Sequence, residues 1–204
     1  MMIANPANCE EYVFVFRGGT CGSFLKLIWN YYLRNGNKKG LFYNKTMGHA
    51  HVPSPFISKH YHNVGDIPIL KEENPNIKII LIMFDEDDIE LISKMQYLKV
   101  AKEWLKHNLD EAILTWPELQ EGIVNLDTRQ QTWQNHYIEG CKHWLSAIEK
   151  DKADFIIDFK TIYGNSDTNL NQLISNYLNV PASIEVDNYI TEYRLINHKL
   201  YGKK

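Results

Sequence analysis

Arg17, Gly18, Gly19, Thr20, Cys21, Gly22 and Ser23 follow one another directly after the apolar segment Tyr12-Val13-Phe14-Val15-Phe16. A guanidinium can neutralise an anion, two hydroxyls can donate hydrogen bonds to it, and glycines let the backbone come close to it. The segment before this run reads as a strand and the segment after it as a helix. Bare N–H groups at such a strand-to-helix junction converge on one point, and the helix dipole adds positive potential there. The chemistry expected of these residues is the holding of a phosphate or sulfate group.

Two other clusters carry reactive side chains. Residues 44–66 hold His49, His51, His60 and His62. Histidine exchanges protons near neutral pH and suits a general base. The cluster lacks the cysteines or helical histidine spacing of a zinc site, so no metal is expected. The acidic run Asp85-Glu86-Asp87-Asp88 follows an apolar segment and suits a helix N-terminus, where the dipole favours carboxylates. An apolar strand followed by acids also fits the magnesium-holding strand of nucleotide triphosphatases, an alternative that would make the chain a kinase or ATPase relative. The strict triphosphate loop, G-x-x-x-x-G-K-[ST], argues against it, because Gly22-Ser23 has no intervening lysine.

The elements that must position these groups follow from the apolar pattern. Residues 12–16 read as a buried strand, and 23–33 as a helix that is apolar around most of its circumference. Residues 35–40 form a turn, and 44–66 a long loop, with or without a short helix. Residues 77–84 are apolar at nearly every position, as in a parallel strand covered on both faces. Asp85 or Asp87 caps a helix running to about residue 108. A helical pattern resumes over 111–116, and Pro117 can start another helix. Residues 132–150 read as an amphipathic helix, 154–158 as a third strand, and 169–178 and 189–200 as helices. Strands separated by helices predict one α/β domain over 1–204, three-layered, with a central parallel sheet and the anion site at its carboxyl edge.

Composition narrows the function classes. At 204 residues and 44% hydrophobic the chain can bury a sizeable core. A net charge of −3 excludes a broad nucleic-acid surface, though not a local basic pocket. No apolar run approaches the length of a membrane span, and residues 1–11 lack the basic start and apolar centre of a signal peptide. Cys9, Cys21 and Cys141 are odd in number and read as reduced thiols, so a cytoplasmic protein is expected.

The loop resembles the 5′-phosphosulfate loop of the PAPS-dependent sulfotransferases, whose donor is 3′-phosphoadenosine 5′-phosphosulfate (PAPS). Further resemblance lies in Lys78-Ile79-Ile80-Leu81-Ile82 with Ser93 in the following helix. It continues in His136-Tyr137 with Cys141-Lys142-His143-Trp144-Leu145, and in Asp154-Phe155-Ile156-Ile157-Asp158-Phe159-Lys160-Thr161-Ile162 followed by Leu170 to Val180. The order holds across residues 11–180. The resemblance implies a P-loop sulfotransferase-like fold and sulfonate transfer from PAPS to a hydroxyl or amine on a small molecule or glycan. By motif position Arg17, Gly18, Gly19, Thr20, Cys21, Gly22 and Ser23 hold the 5′-phosphosulfate. Ser93 touches the 3′-phosphate, and His62 deprotonates the acceptor. The family's arginine after the second strand falls on Phe84 or a neighbour within Met83-Phe84-Asp85-Glu86-Asp87-Asp88, none of them a cation, so the 3′-phosphate needs another one, such as Arg129, Lys142 or Arg194. That substitution also admits a sulfotransferase-like fold kept as a non-catalytic binding or assembly module.

Overall fold

The computed structural model of the chain describes residues 12–34, 36, 59–61, 65–98, 126–164 and 166–202. Its contacts divide into two compact units, one formed by Met1–Phe84 with Ile148–Lys204 and the other by Asp85–Ala147.

The first unit is built on a four-stranded sheet of β1 (Tyr12–Val15), β2 (Lys59–Tyr61), β3 (Lys78–Met83) and β4 (Phe155–Asp158). The spatial order is β2-β1-β3-β4, and every pairing is parallel. Phe14 is in register with His60 and Ile80, and Ile80 with Phe155. Val13, Phe14 and Val15 are all buried, as are Ile79 to Met83, so both faces of β1 and β3 are covered. This is the α/β class with a parallel sheet that the continuous apolar runs predict. In β4, by contrast, only Ile157 is buried, as suits a strand at the sheet's edge.

The helix after β1, α1 (Gly22–Leu33), begins one residue earlier than its apolar pattern suggests. It packs on β1 and on α6 (Leu170–Leu178). Trp29 anchors it to the sheet through ring contacts with Tyr12, Phe14 and Phe155. Several elements in this unit differ from the sequence reading. β2 lies inside the segment read as a loop. α2 (Asp66–Glu73) carries Pro68 in its first turn, where the missing N–H costs nothing. At the far end of β4, α5 (Phe159–Tyr163) starts at once, with the Asp158 carboxylate accepting from the Lys160 amide at 3.0 Å. α7 (Ile184–Tyr201) is capped by Ser183 and is longer than the predicted 189–200.

The second unit contains a 3-10 turn (Glu86–Asp88), α3 (Ile89–Gln96) and α4 (Leu126–Ser146). Asp85 and Asp88 form a reciprocal capping box, with the Asp85 amide donating to Asp88 Oδ2 at 3.1 Å. The acidic run is therefore a helix start, as its composition predicts. Tyr97, Trp133 and Tyr137 pack ring on ring, and Cys141 and Trp144 are buried beside them on α4. The helical pattern over 111–116 and Pro117 lies outside the described residues, as does the predicted continuation toward residue 108. No helix among the described residues is long and apolar enough to cross a membrane.

Candidate functional site

The strand order places the loop of interest. From β1 the chain passes to β2 on one side, whereas from β3 it passes to β4 on the other. Beyond the carboxyl ends of β1 and β3 there is thus a topological switch point, the position where open parallel sheets bind ligands. Residues 16–21 leave β1 at that point.

The loop is shaped by three local interactions. The Thr20 amide and hydroxyl both donate to the Arg17 carbonyl, at 3.2 Å and 2.6 Å, which closes a tight turn over Gly18 and Gly19. Gly19 takes φ 82°, a conformation in which a side chain would strain the backbone. Cys21 takes φ 63° although it is not glycine. Left-handed residues thus stand on either side of Thr20, a conformation that also occurs in anion-binding nests.

α1 opens from this turn with none of the usual protections. Its N-cap residue is Cys21, which makes no side-chain capping bond, and its first turn holds no acidic residue. An α-helix leaves its first amides without intrahelical acceptors, and those of Gly22 and Ser23 are in that position at the end of the loop. Arg17, Gly18, Gly19 and Ser23 are partly exposed there. The loop is supported from below by Phe16, whose ring lies where a Cβ on Gly22 would be. Gly22 and Trp29 are seven residues apart and share the sheet side of α1, so Phe16 fills the space between sheet and helix start.

The expected site residues separate by role. Arg17, Gly18, Gly19 and Ser23 are together at the loop mouth, whereas Gly22 is buried against Phe16. Thr20 is fully buried, and its hydroxyl proton is committed to the turn, so it shapes the loop. Cys21 turns its sulfur inward, where the Tyr193 hydroxyl hydrogen-bonds it. Tyr163 and Tyr201 also lie close to that sulfur, and burial raises the Tyr201 hydroxyl to about 12. Ser93 is buried in α3 of the second unit, and its hydroxyl has no hydrogen-bond partner among the described residues. His62 lies outside the described residues, and so does the side chain of Arg129. Arg194 is not available as a phosphate ligand. It donates to the Thr161 and Ile162 carbonyls at the end of α5, against Gly164. Lys142 pairs with Glu139 at 2.7 Å on the surface of α4. Phe84 is 2% exposed and belongs to the core.

One residue escaped the sequence reading. Lys26 interrupts the apolar run Phe24-Leu25-Lys26-Leu27-Ile28-Trp29 and is only 3% exposed. Desolvation lowers its ammonium to about 8. A single charge inside a helix apolar all round was the available signal. Among the described residues no three His, Cys, Asp or Glu side chains gather as metal ligands would.

These features define an α/β protein with an uncapped, acid-free helix start at the switch point of a parallel sheet. No protein-family model, curated protein or solved structure matches the chain.

Proposed function

We propose that the loop between β1 and α1 binds the 5′-phosphosulfate of PAPS and that the chain transfers its sulfonate to a hydroxyl or amine acceptor. A three-layer, P-loop sulfotransferase-like fold is part of this reading. The observation that carries it is the helix start at residues 21–23, which has amide donors, no acid and no side-chain cap. The order of motifs along residues 11–180 selects the sulfuryl donor among anionic ligands.

In this reading the amides of Gly22 and Ser23, the Ser23 hydroxyl and the Arg17 guanidinium receive the charge that builds on the bridging oxygen. The acceptor oxygen or nitrogen forms a bond to sulfur as the bond from sulfur to the 5′-phosphate oxygen breaks. Adenosine 3′,5′-bisphosphate leaves, and His62 takes the acceptor's proton. Ser93 is assigned to the 3′-phosphate, where Phe84 supplies no cation.

The buried Phe84 favours a second reading, a related fold that binds without catalysing. Titration calorimetry with adenosine 3′,5′-bisphosphate separates the two. Binding that is lost in Arg17→Ala supports the transferase. Absence of binding at millimolar ligand supports the module and ends the donor assignment. Magnesium-dependent ATP binding would instead support the kinase or ATPase alternative.

A further inference from the structure

Tyr193 of α7 touches the start of α1 at two points. Its hydroxyl hydrogen-bonds the Cys21 sulfur, and its ring stacks on that of Phe24 with centroids 3.6 Å and planes 6° apart. Cys21 and Phe24 are three residues apart at the helix start, a spacing that puts them on one side of it. Gly22 and Ser23, whose amides are assigned to the anion, are the two residues between them.

Both contacts bear on those amides. A peptide group is planar, so the direction of the Gly22 N–H follows from the backbone of Cys21. That backbone stands at φ 63° and ψ 19°, a left-handed conformation disfavoured for a residue with a side chain. The Ser23 N–H lies in the first turn of α1, which the Phe24 ring ties to α7. Phe24 is fully buried, and Tyr189 stacks on it as well, with centroids 5.4 Å apart.

Tyr193 is itself anchored. Its neighbour Arg194 donates to the Thr161 and Ile162 carbonyls, and one turn further on His198 Nε2 is 2.7 Å from the Tyr163 carbonyl oxygen. The Tyr163 hydroxyl in turn donates to the Gly202 carbonyl at 2.7 Å. α7 is thus locked to the end of α5 and brings a fixed tyrosine to the loop. A phenylalanine ring would fill the same space at 193. A buried hydroxyl is costly unless it is bonded, so its bond to the Cys21 sulfur is a feature that packing alone does not call for.

We propose, on the reading that the loop binds an anion, that Tyr193 is a positioning residue for it, fixing through Cys21 and Phe24 the direction of the amides that receive a phosphate group. None of the loop motifs contains this residue, which stands on the last helix of the chain.

The test is a double-mutant cycle on the whole chain, with inorganic phosphate as the probe in titration calorimetry and thermal unfolding measured alongside. Tyr193→Phe keeps the ring and removes the hydroxyl, and it is expected to weaken phosphate binding severalfold. A serine hydroxyl can accept from the tyrosine and an alanine methyl cannot, so Cys21→Ser is expected to bind phosphate severalfold more tightly than Cys21→Ala. Combined with Tyr193→Phe, the two should bind alike, since the shared partner is gone. A Tyr193→Phe chain that melts lower yet binds phosphate as the parent does would make the hydroxyl a core contact and overturn the proposal. A difference between Cys21→Ser and Cys21→Ala that persists without the tyrosine hydroxyl would show residue 21 acting on the anion by itself, and would overturn it too. Should Tyr193→Phe fail to fold, the two Cys21 variants in the parent chain decide, a severalfold gap supporting the proposal and equal affinities overturning it. Phosphate binding that is lost in Arg17→Ala but unmoved across the cycle would overturn the role of Tyr193 and leave the loop assignment standing. A parent chain that binds no phosphate at millimolar concentration would overturn both.

Discussion

The sulfur of Cys21 and the hydroxyl of Tyr193 are joined by a hydrogen bond on the inner side of the loop. Cys21 holds φ 63°, a left-handed conformation that costs a non-glycine residue about 1 kcal/mol or more. The contact with Tyr193 offsets that strain. Tyr193→Phe keeps the stack on Phe24 and is expected to lose about 1 kcal/mol. Cys21→Ala loses the contact and keeps the strain, whereas Cys21→Gly loses the contact and relieves it. Urea unfolding should therefore rank Cys21→Gly above Cys21→Ala. The reverse order would show that the backbone at this position is unstrained.

Gly22 makes a second demand on the same turn. A Cβ there would overlap the Phe16 ring, which is 4% exposed and has little room to withdraw. Gly22→Ala is expected to cost about 1–3 kcal/mol, the usual range for overpacking. Phe16→Leu in the same chain should recover part of the loss, because the two residues touch. Additive losses in a double-mutant cycle would place the strain elsewhere.

The parts of this fold that were legible in the sequence are those where one local pattern decides the outcome. β1, β3 and β4 stand in apolar runs bounded by polar residues, and the acids at 85–88 announce a helix start. β2 was illegible for a physical reason. Lys59-His60-Tyr61 is three residues long, has no apolar alternation, and is a strand only because β1 offers it an edge. α5 is a single turn whose formation depends on the Asp158 cap and on Arg194 from a helix about 30 residues away. At the site, the glycines and Arg17 could be read from composition. The inward turn of Thr20 could not, since a hydroxyl that donates to a carbonyl three residues back looks the same in sequence as one facing a ligand.

Lys26 gives the stability of the chain a defined pH dependence. Its ammonium titrates at about 8 when folded, against 10.5 for the ordinary side chain, because burial penalises the charge. Between those values the unfolded chain binds more protons than the folded one, so stability rises with pH. From pH 8 to 10 the gain is about 2 kcal/mol. Above pH 10 the slope reverses. Burial raises the hydroxyls of Tyr163, Tyr193 and Tyr201, so the unfolded chain loses those protons first. Urea midpoints measured in steps from pH 7 to 11 should show a maximum near pH 10. The rising limb should vanish in Lys26→Met and the falling limb should remain. A rising limb that persists in that variant would assign the titration to another group.

Thr20 and Ser23 carry the same functional group three residues apart, and the structure gives them opposite duties. The Thr20 hydroxyl is fully buried and holds the Arg17 carbonyl at 2.6 Å, so Thr20→Val breaks the turn that aims the amides. That variant is expected to lose about 1–2 kcal/mol of stability and, as a consequence, affinity for phosphate. Ser23 is partly exposed at the second position of α1, on the side of the loop mouth. Ser23→Ala should leave stability within about 0.5 kcal/mol of the parent, since it removes no buried contact. Its phosphate affinity should fall severalfold, as expected for one lost hydrogen bond to an anion. Unfolding and phosphate titration on the two variants therefore give a crossed pattern. Equal losses of stability in both would mean that Ser23 also belongs to the scaffold, leaving Arg17 and the backbone amides as the donors to the anion.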